Sequence, residues 1–241
     1  CIAKPNLGEG GFLVKKIHSP SELALYHQVA DRDYLIQEFV NTPLELSVLV
    51  HDAHGRLEIS SITERRYLRL KGDGKSSLLE LLKSHAQAGF RLKGILKKLE
   101  EPLDRILEKD EVHIPLSIGN WDYGATYIDR KDLKTEGLRE VFEKLNTEIG
   151  LFHYARYDLK CADEMAFLQG EFKILEINGV KGEPIHLYDP SYSLWQAYQE
   201  IFRHWEYILQ ISKRNRKNGA SCPNAVEGFR ILFRHAAVVR G

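Results

Sequence analysis

The chain has 241 residues, of which 43% are hydrophobic and 28% charged, with 34 Lys+Arg set against 34 Asp+Glu. That length buries a core sufficient for one large domain or two lobes, and a formal net charge of zero supplies no overall field for nucleic acid or an anionic membrane. Three widely separated cysteines without a Cys-x-x-Cys pair read as reduced thiols of a cytoplasmic protein and not as a disulfide framework or a cysteine zinc site, and no apolar stretch has the length of a membrane span or the form of a signal peptide.

Cys1-Ile2-Ala3 reads as the middle of a strand, so the polypeptide is expected to continue upstream. Ile2 to Pro5 and Phe12 to Lys16 read as strands around a Gly-rich turn, Asn6 to Gly11. Ser19, Pro20 and Glu22 supply an N-cap, a first-turn proline and a capping acid for a helix from Pro20 to about Asp31. Tyr34 to Val40 and Leu44 to Val50 have strand composition, and His51 to Arg56 is a hairpin turn returning through Leu57 to Thr63. Glu64 to Lys75 is charged and Gly-containing, and reads as a long functional or hinge loop. Ser76 or Ser77 caps a helix expected to reach about Ala88, short irregular elements run to Asp110, and Val112 to Ile118 is a strand candidate. Gly119 to Gly124 is a loop carrying Asn120, Trp121 and Asp122. Leu138, Val141, Phe142, Leu145 and Ile149 recur at helical spacing within Thr135 to Ile149. Ser191 to Ser212 is a long helix whose aromatics are expected in core packing, and Ala225 to Val239 is an amphipathic helix that covers the core or meets a partner. Strands, hairpins and helices in this order predict an α+β fold in two lobes, residues 1–65 and 66–212, with a helical extension over 213–241.

The chemistry concentrates in Arg156-Tyr157-Asp158-Leu159-Lys160 and Ile174-Leu175-Glu176-Ile177-Asn178. Alternation places Arg156, Asp158 and Lys160 on one face of a strand, and Glu176 and Asn178 on one face of the next. Paired as a hairpin, these strands gather Asp158, Glu176 and Asn178 as hard oxygen ligands beside a cation, a donor set suited to Mg²⁺ and phosphate. The bland alternative is a hairpin with a solvated polar face. Two glycine motifs are decoys: Asn6-Leu7-Gly8-Glu9-Gly10-Gly11 opens a strand and not the helix of a dinucleotide fold, and Gly72-Asp73-Gly74-Lys75-Ser76 has Arg69 where a P-loop needs its upstream glycine. Arg65, Arg66 and Arg69 make a basic loop that is either solvated or a contact for an acidic group, and His186 reads as a structural histidine with an acid–base role as the alternative.

In combination the order Lys4-Pro5, Gly-rich hairpin, Ile36-Gln37-Glu38-Phe39-Val40, Glu45, Arg156-x-Asp158 and Glu176-x-Asn178 resembles the ATP-grasp superfamily. Within it the pattern is similar to D-alanine–D-alanine ligase-like and cyanophycin-synthetase-like carboxylate–amine ligases, and the Gly72-to-Lys75 loop before a helix is similar to the latter. The resemblance implies an α+β ATP-grasp fold with ATP between two lobes and a substrate lobe upstream. It implies Lys4 on the α- or β-phosphate, Gly8, Gly10 and Gly11 folding over the phosphates, Gln37, Glu38 and Val40 as the adenine hinge, and Glu45 on the ribose. It further implies Asp158, Glu176 and Asn178 as Mg²⁺ ligands and Arg156 as the catalytic cation. The expected activity is ATP- and Mg²⁺-dependent joining of an amino acid or small peptide to a carboxylate through an acyl phosphate. The alternative is a nucleotide-binding module without catalysis. Neither nucleic acid nor membrane is expected as a partner, and a homodimer is left open.

Overall fold

The computed structural model describes residues 1–6, 11–30, 32–116, 119–150 and 152–240. In chain order the elements are β1 (Ile2–Pro5), β2 (Lys15–Lys16), α1 (Pro20–Val29), β3 (Tyr34–Gln37), β4 (Leu44–His51), β5 (Glu58–Arg66), β6 (Leu70–Lys71), α2 (Leu78–Ser84), α3 (Leu92–Lys98), β7 (Val112–His113), β8 (Thr126–Asp129), α4 (Glu136–Ile149), β9 (Tyr154–Cys161), α5 (Glu164–Leu168), β10 (Phe172–Asn178), α6 (Leu194–Lys217) and α7 (Ala225–Arg240). The fold is α+β with antiparallel sheets, as the alternation of elements predicts.

The chain divides into two compact units, residues 1–41 with 215–241, and residues 42–214. In the first, β1 is the middle strand of an antiparallel β2-β1-β3 sheet, with Lys4 opposite Leu35 and Ile2 opposite Gln37. Helix α1 starts where the sequence places it: the Ser19 hydroxyl accepts the Glu22 amide at 3.2 Å, and the Glu22 carboxylate accepts the His18 amide at 2.9 Å. Ala3, Ile17 and Tyr26 form its small core.

The second unit is organised by a five-stranded antiparallel sheet of order β10-β9-β4-β5-β8. Its apolar face presents Leu46, Val48 and Val50 from β4, Ile62 from β5, and Ala155, Tyr157, Leu159 and Cys161 from β9. Leu138 and Phe142 of α4 and Phe167 of α5 cover them, and each such aliphatic side chain contributes about 1.5–3 kcal/mol on burial. One polar group enters this core fully satisfied: Asn146 accepts from the Tyr157 hydroxyl at 2.8 Å and exchanges two hydrogen bonds with the Phe152 backbone. A satellite core of Leu68, Leu70, Leu78, Leu82, Ile95 and Leu107 gathers under α2 and α3. Here Ser77 and Glu80 cap α2 reciprocally, as the capping-box pattern requires.

Several expectations change. The lobe boundary falls at 41/42 and not at 65, because β4 and β5 hydrogen-bond into the sheet that contains β9. The region from Glu64 is not loop throughout: β5 continues to Arg66 and pairs with β8, a strand whose four residues gave no clear signal. The strand expected over 112–118 is confined to Val112–His113 in the described residues, and α2 stops at Ser84. The aromatics of α6 are not core: Trp195, Tyr198, Phe202 and Trp205 are exposed, while His204 and Ile211 are the buried residues of that helix. Among the described side chains of helix α7, Phe229, Leu232 and Phe233 are likewise exposed, which fits the partner-facing alternative for this helix better than the core-covering one.

Candidate functional site

Opposite its apolar face, the five-stranded sheet carries charge. Strands β9 and β10 pair as the hairpin the sequence predicts, with Glu176 directly across from Asp158 and Asn178 across from Arg156. This register depends on a bulge. Ile174 faces Leu159, yet Glu176, and not Leu175, faces Asp158. An unbroken ladder would set Glu176 opposite buried Tyr157; the extra residue returns Glu176 and Asn178 to the side of Asp158.

Asp158 is buried, and both of its oxygens are engaged. Oδ1 accepts from Ser47 Oγ at 2.6 Å and Arg156 Nε at 3.1 Å. Oδ2 accepts from an Arg156 Nη and from Asn178 Nδ2, each at 3.3 Å, and a second guanidinium, that of Arg65, lies 3.4 Å away. Arg156 is itself held by the Glu183 carbonyl at 3.2 Å. Gly182 makes this approach possible, since a Cβ there would meet Asn178 Cβ at 2.9 Å and Arg156 Cβ at 3.4 Å. The Glu176 side chain is exposed and has no hydrogen bond or ion pair among the described residues.

Arg65 is the residue that sequence reasoning misplaced. It lies on β5, opposite Tyr127, and not in a basic loop. Its guanidinium donates to Glu45 at 3.0 Å and to Ser47 Oγ at 3.2 Å, and so links Glu45 to Asp158. Burial opposes its charge, but Asp158 and Glu45 outweigh burial and hold its pKa above the ordinary arginine value. Glu45 is also buried: the Tyr67 hydroxyl donates to it, and Lys160 lies 3.8 Å away. Burial, then the Glu45 carboxylate, push the Tyr67 hydroxyl pKa well up, so Tyr67 stays a donor. The available signal was alternation, with Thr63, Arg65 and Tyr67 stepping past buried Ile62.

The cluster is balanced: Glu45, Asp158 and Glu176 face Arg65, Arg156 and Lys160. Two of its buried polar atoms, Thr63 Oγ1 and Arg65 Nε, have no hydrogen-bond partner. The oxygen donors Asp158, Glu176 and Asn178 are the kind magnesium takes, but Asp158 is committed to two guanidiniums. The residue set therefore fits a divalent cation accompanied by an anion that takes over the arginines, and fits a bare cation poorly.

Lys4, Gln37, Glu38 and Val40 lie in the first unit. Lys4 is in the centre strand β1, Gln37 ends β3, and Val40 is buried just beyond it. Gly11, with φ of +74°, sits in a turn that glycine adopts without strain. Gly8 and Gly10 lie outside the described residues. Glu45, expected on the nucleotide ribose, is brought into the Asp158 cluster of the second unit.

No family model and no curated protein sequence matches the chain. Among solved structures it is similar to a bifunctional glutathione synthetase from Pasteurella multocida, with 18% identity over 73% of this chain and a TM-score of 0.37. The match spans 26% of that protein, about a quarter of its length. Among the described residues, no helix is long and apolar enough to cross a membrane.

Proposed function

We propose that the chain is part of an ATP- and Mg²⁺-dependent carboxylate–amine ligase of ATP-grasp type, acting through an acyl phosphate on an amino acid or small peptide. The observation that carries this reading is the bulged hairpin that sets Glu176 and Asn178 beside an Asp158 already surrounded by Arg156 and Arg65. Asp158, Glu176 and Asn178 are the proposed metal ligands. When bound, Mg²⁺ neutralises charge on the nucleotide phosphates. Arg156 and Arg65, held together at Asp158, would supply positive charge to the phosphate oxygens where the transferring group gains negative charge. A substrate carboxylate oxygen attacks the terminal phosphorus and ADP leaves. An amine then attacks the acyl carbon, inorganic phosphate leaves, and the amide nitrogen gives up a proton. Lys4 on phosphate and the Glu38 and Val40 backbone on adenine belong to the same reading, and rest on motif order alone.

The test is titration of ATP, with and without Mg²⁺, into the wild-type chain and Glu176→Ala, followed by hydroxylamine trapping across a panel of amino acids and small peptides. Expected results are nucleotide binding that needs Mg²⁺ and weakens in the variant, with hydroxamate formed from one class of carboxylate. A folded chain that binds no nucleotide refutes the reading. Mg²⁺-dependent binding with neither hydroxamate nor ADP release would instead support a nucleotide-binding module.

A further inference from the structure

A second polar cluster lies on the second unit, apart from the carboxylates of the hairpin. His186 sits in the single turn Ile185–Tyr188, and Glu200 and His204 are one helical turn apart on α6. One ligand atom from each lies within 4.8 Å of the other two. We infer that His186, Glu200 and His204 form a site for a divalent transition ion, Zn²⁺ by its donor set, that pins the turn 185–188 to α6.

The geometry is close to what such an ion needs. His186 Nε2 and Glu200 Oε2 are 3.4 Å apart, and two ligands at tetrahedral Zn²⁺ distances are separated by about 3.4 Å. Both imidazoles are buried. Each ring nitrogen of His204 meets a hydroxyl at 2.9 Å, Tyr154 on one side and Ser60 on the other. An ion would have to displace one of these hydroxyls from its ring nitrogen, the other hydroxyl then accepting the remaining ring N–H as the outer-shell partner of a ligating histidine does. Glu200 is partly exposed and bonded to Arg203 at 2.8 Å, which leaves solvent access from the carboxylate side. Two imidazoles and one carboxylate suit Zn²⁺, whereas Mg²⁺ and Ca²⁺ favour oxygen alone. The fourth position is left for water. The pinned turn follows Glu183, whose carbonyl holds Arg156, so the ion would steady the segment behind the hairpin cluster. This site does not depend on the ligase reading.

The test uses the full chain carrying Cys1→Ser and Cys222→Ser, because these exposed thiols compete for zinc. Co²⁺ is titrated while its visible absorption is followed, and Zn²⁺ is titrated by calorimetry. One ion per chain, a cobalt spectrum without thiolate charge transfer, and a Zn²⁺-dependent rise in Tm are expected. Glu200→Gln, at a partly exposed position, should fold and weaken binding at least about tenfold, while His54→Ala should leave it unchanged. A folded chain that takes up no stoichiometric ion overturns the site, as does uptake that Glu200→Gln leaves intact or His54→Ala abolishes.

Discussion

Replacing Arg65 by Met should expose how far the hairpin cluster depends on one buried guanidinium. Arg65 stands 3.0 Å from Glu45 and 3.4 Å from Asp158, with all three side chains largely buried. At an effective dielectric constant of about 20, these separations give gross attractions of about 5.5 and about 4.9 kcal/mol before the desolvation of three charges is subtracted. Removing one member of such a buried set typically costs about 3–5 kcal/mol. Glu45 keeps Tyr67 and Lys160, and Asp158 keeps Arg156, Ser47 and Asn178, so the lower end, about 3 kcal/mol, is expected. Much of that loss is the penalty of a carboxylate left without its cation. Glu45→Gln in the Arg65→Met background should therefore cost less than it does alone, with a coupling of about 1–3 kcal/mol in a double-mutant cycle. Urea unfolding at constant pH measures all four corners. Additivity within about 0.5 kcal/mol would refute the claim that Arg65 is the link between these groups.

Three further outcomes follow from other parts of the second unit. Glu176→Ala removes an exposed side chain without a partner among the described residues, so unfolding free energy should change by no more than about 0.5 kcal/mol while Mg²⁺-dependent nucleotide binding falls; equal losses in both would mark Glu176 as structural. Gly119→Ala would place a methyl 2.4 Å from Arg65 Cδ and 3.3 Å from Glu45 Oε1, and should destabilise by about 1–3 kcal/mol; a variant as stable as wild type in urea would argue against that close approach. His51 is buried against Tyr207, and desolvation lowers its pKa from 6.5 to about 4. Below pH 6.5 the unfolded chain binds a proton that the native chain refuses, so the contribution of His51 is complete above that pH. It is lost on descending toward pH 4, at up to about 1.4 kcal/mol per pH unit. Urea midpoints from pH 7.5 to 4.5 should fall less steeply for His51→Gln, and parallel slopes would count against the assignment.

Different parts of this molecule were legible for different reasons. Helix α1 announces itself through its Ser19 cap, whose side chain accepts the Glu22 amide, and α4 through apolar residues at helical spacing, of which Leu138 and Phe142 are buried. The β9–β10 pairing is written in alternation, with Tyr157 and Leu159 buried between Arg156, Asp158 and Lys160. Arg65 was illegible because Glu64, Arg65 and Arg66 together look like a solvated run, although tertiary pairing with β8 draws them into a strand. Glu64 and Arg66 bond each other at 2.6 Å at the strand end, while Arg65 turns to the opposite face. The exposed aromatics on α6 misled in the other direction, since their spacing is that of a packed helix and only the folded chain shows which stripe is covered.

The bulge at Leu175 joins the legible and illegible parts. In β10 the core-facing residues are Phe172, Ile174 and Ile177, a step of two and then of three. Strict alternation places residues 172, 174, 176 and 178 on one face, which would send Glu176 and Asn178 into the core beside Phe172 and Ile174. The register shift between Ile174 and Glu176 resolves the conflict, and beyond it both polar residues stand beside Asp158 and Arg156. A hairpin serving only to cover the core would gain from an unbroken register with an apolar residue at 176. The irregular register instead delivers an unpartnered carboxylate to an aspartate already flanked by two arginines. Local order is given up at the position where the proposed chemistry needs a second oxygen ligand, the kind of break in the hydrophobic pattern expected at a functional position if that proposal holds.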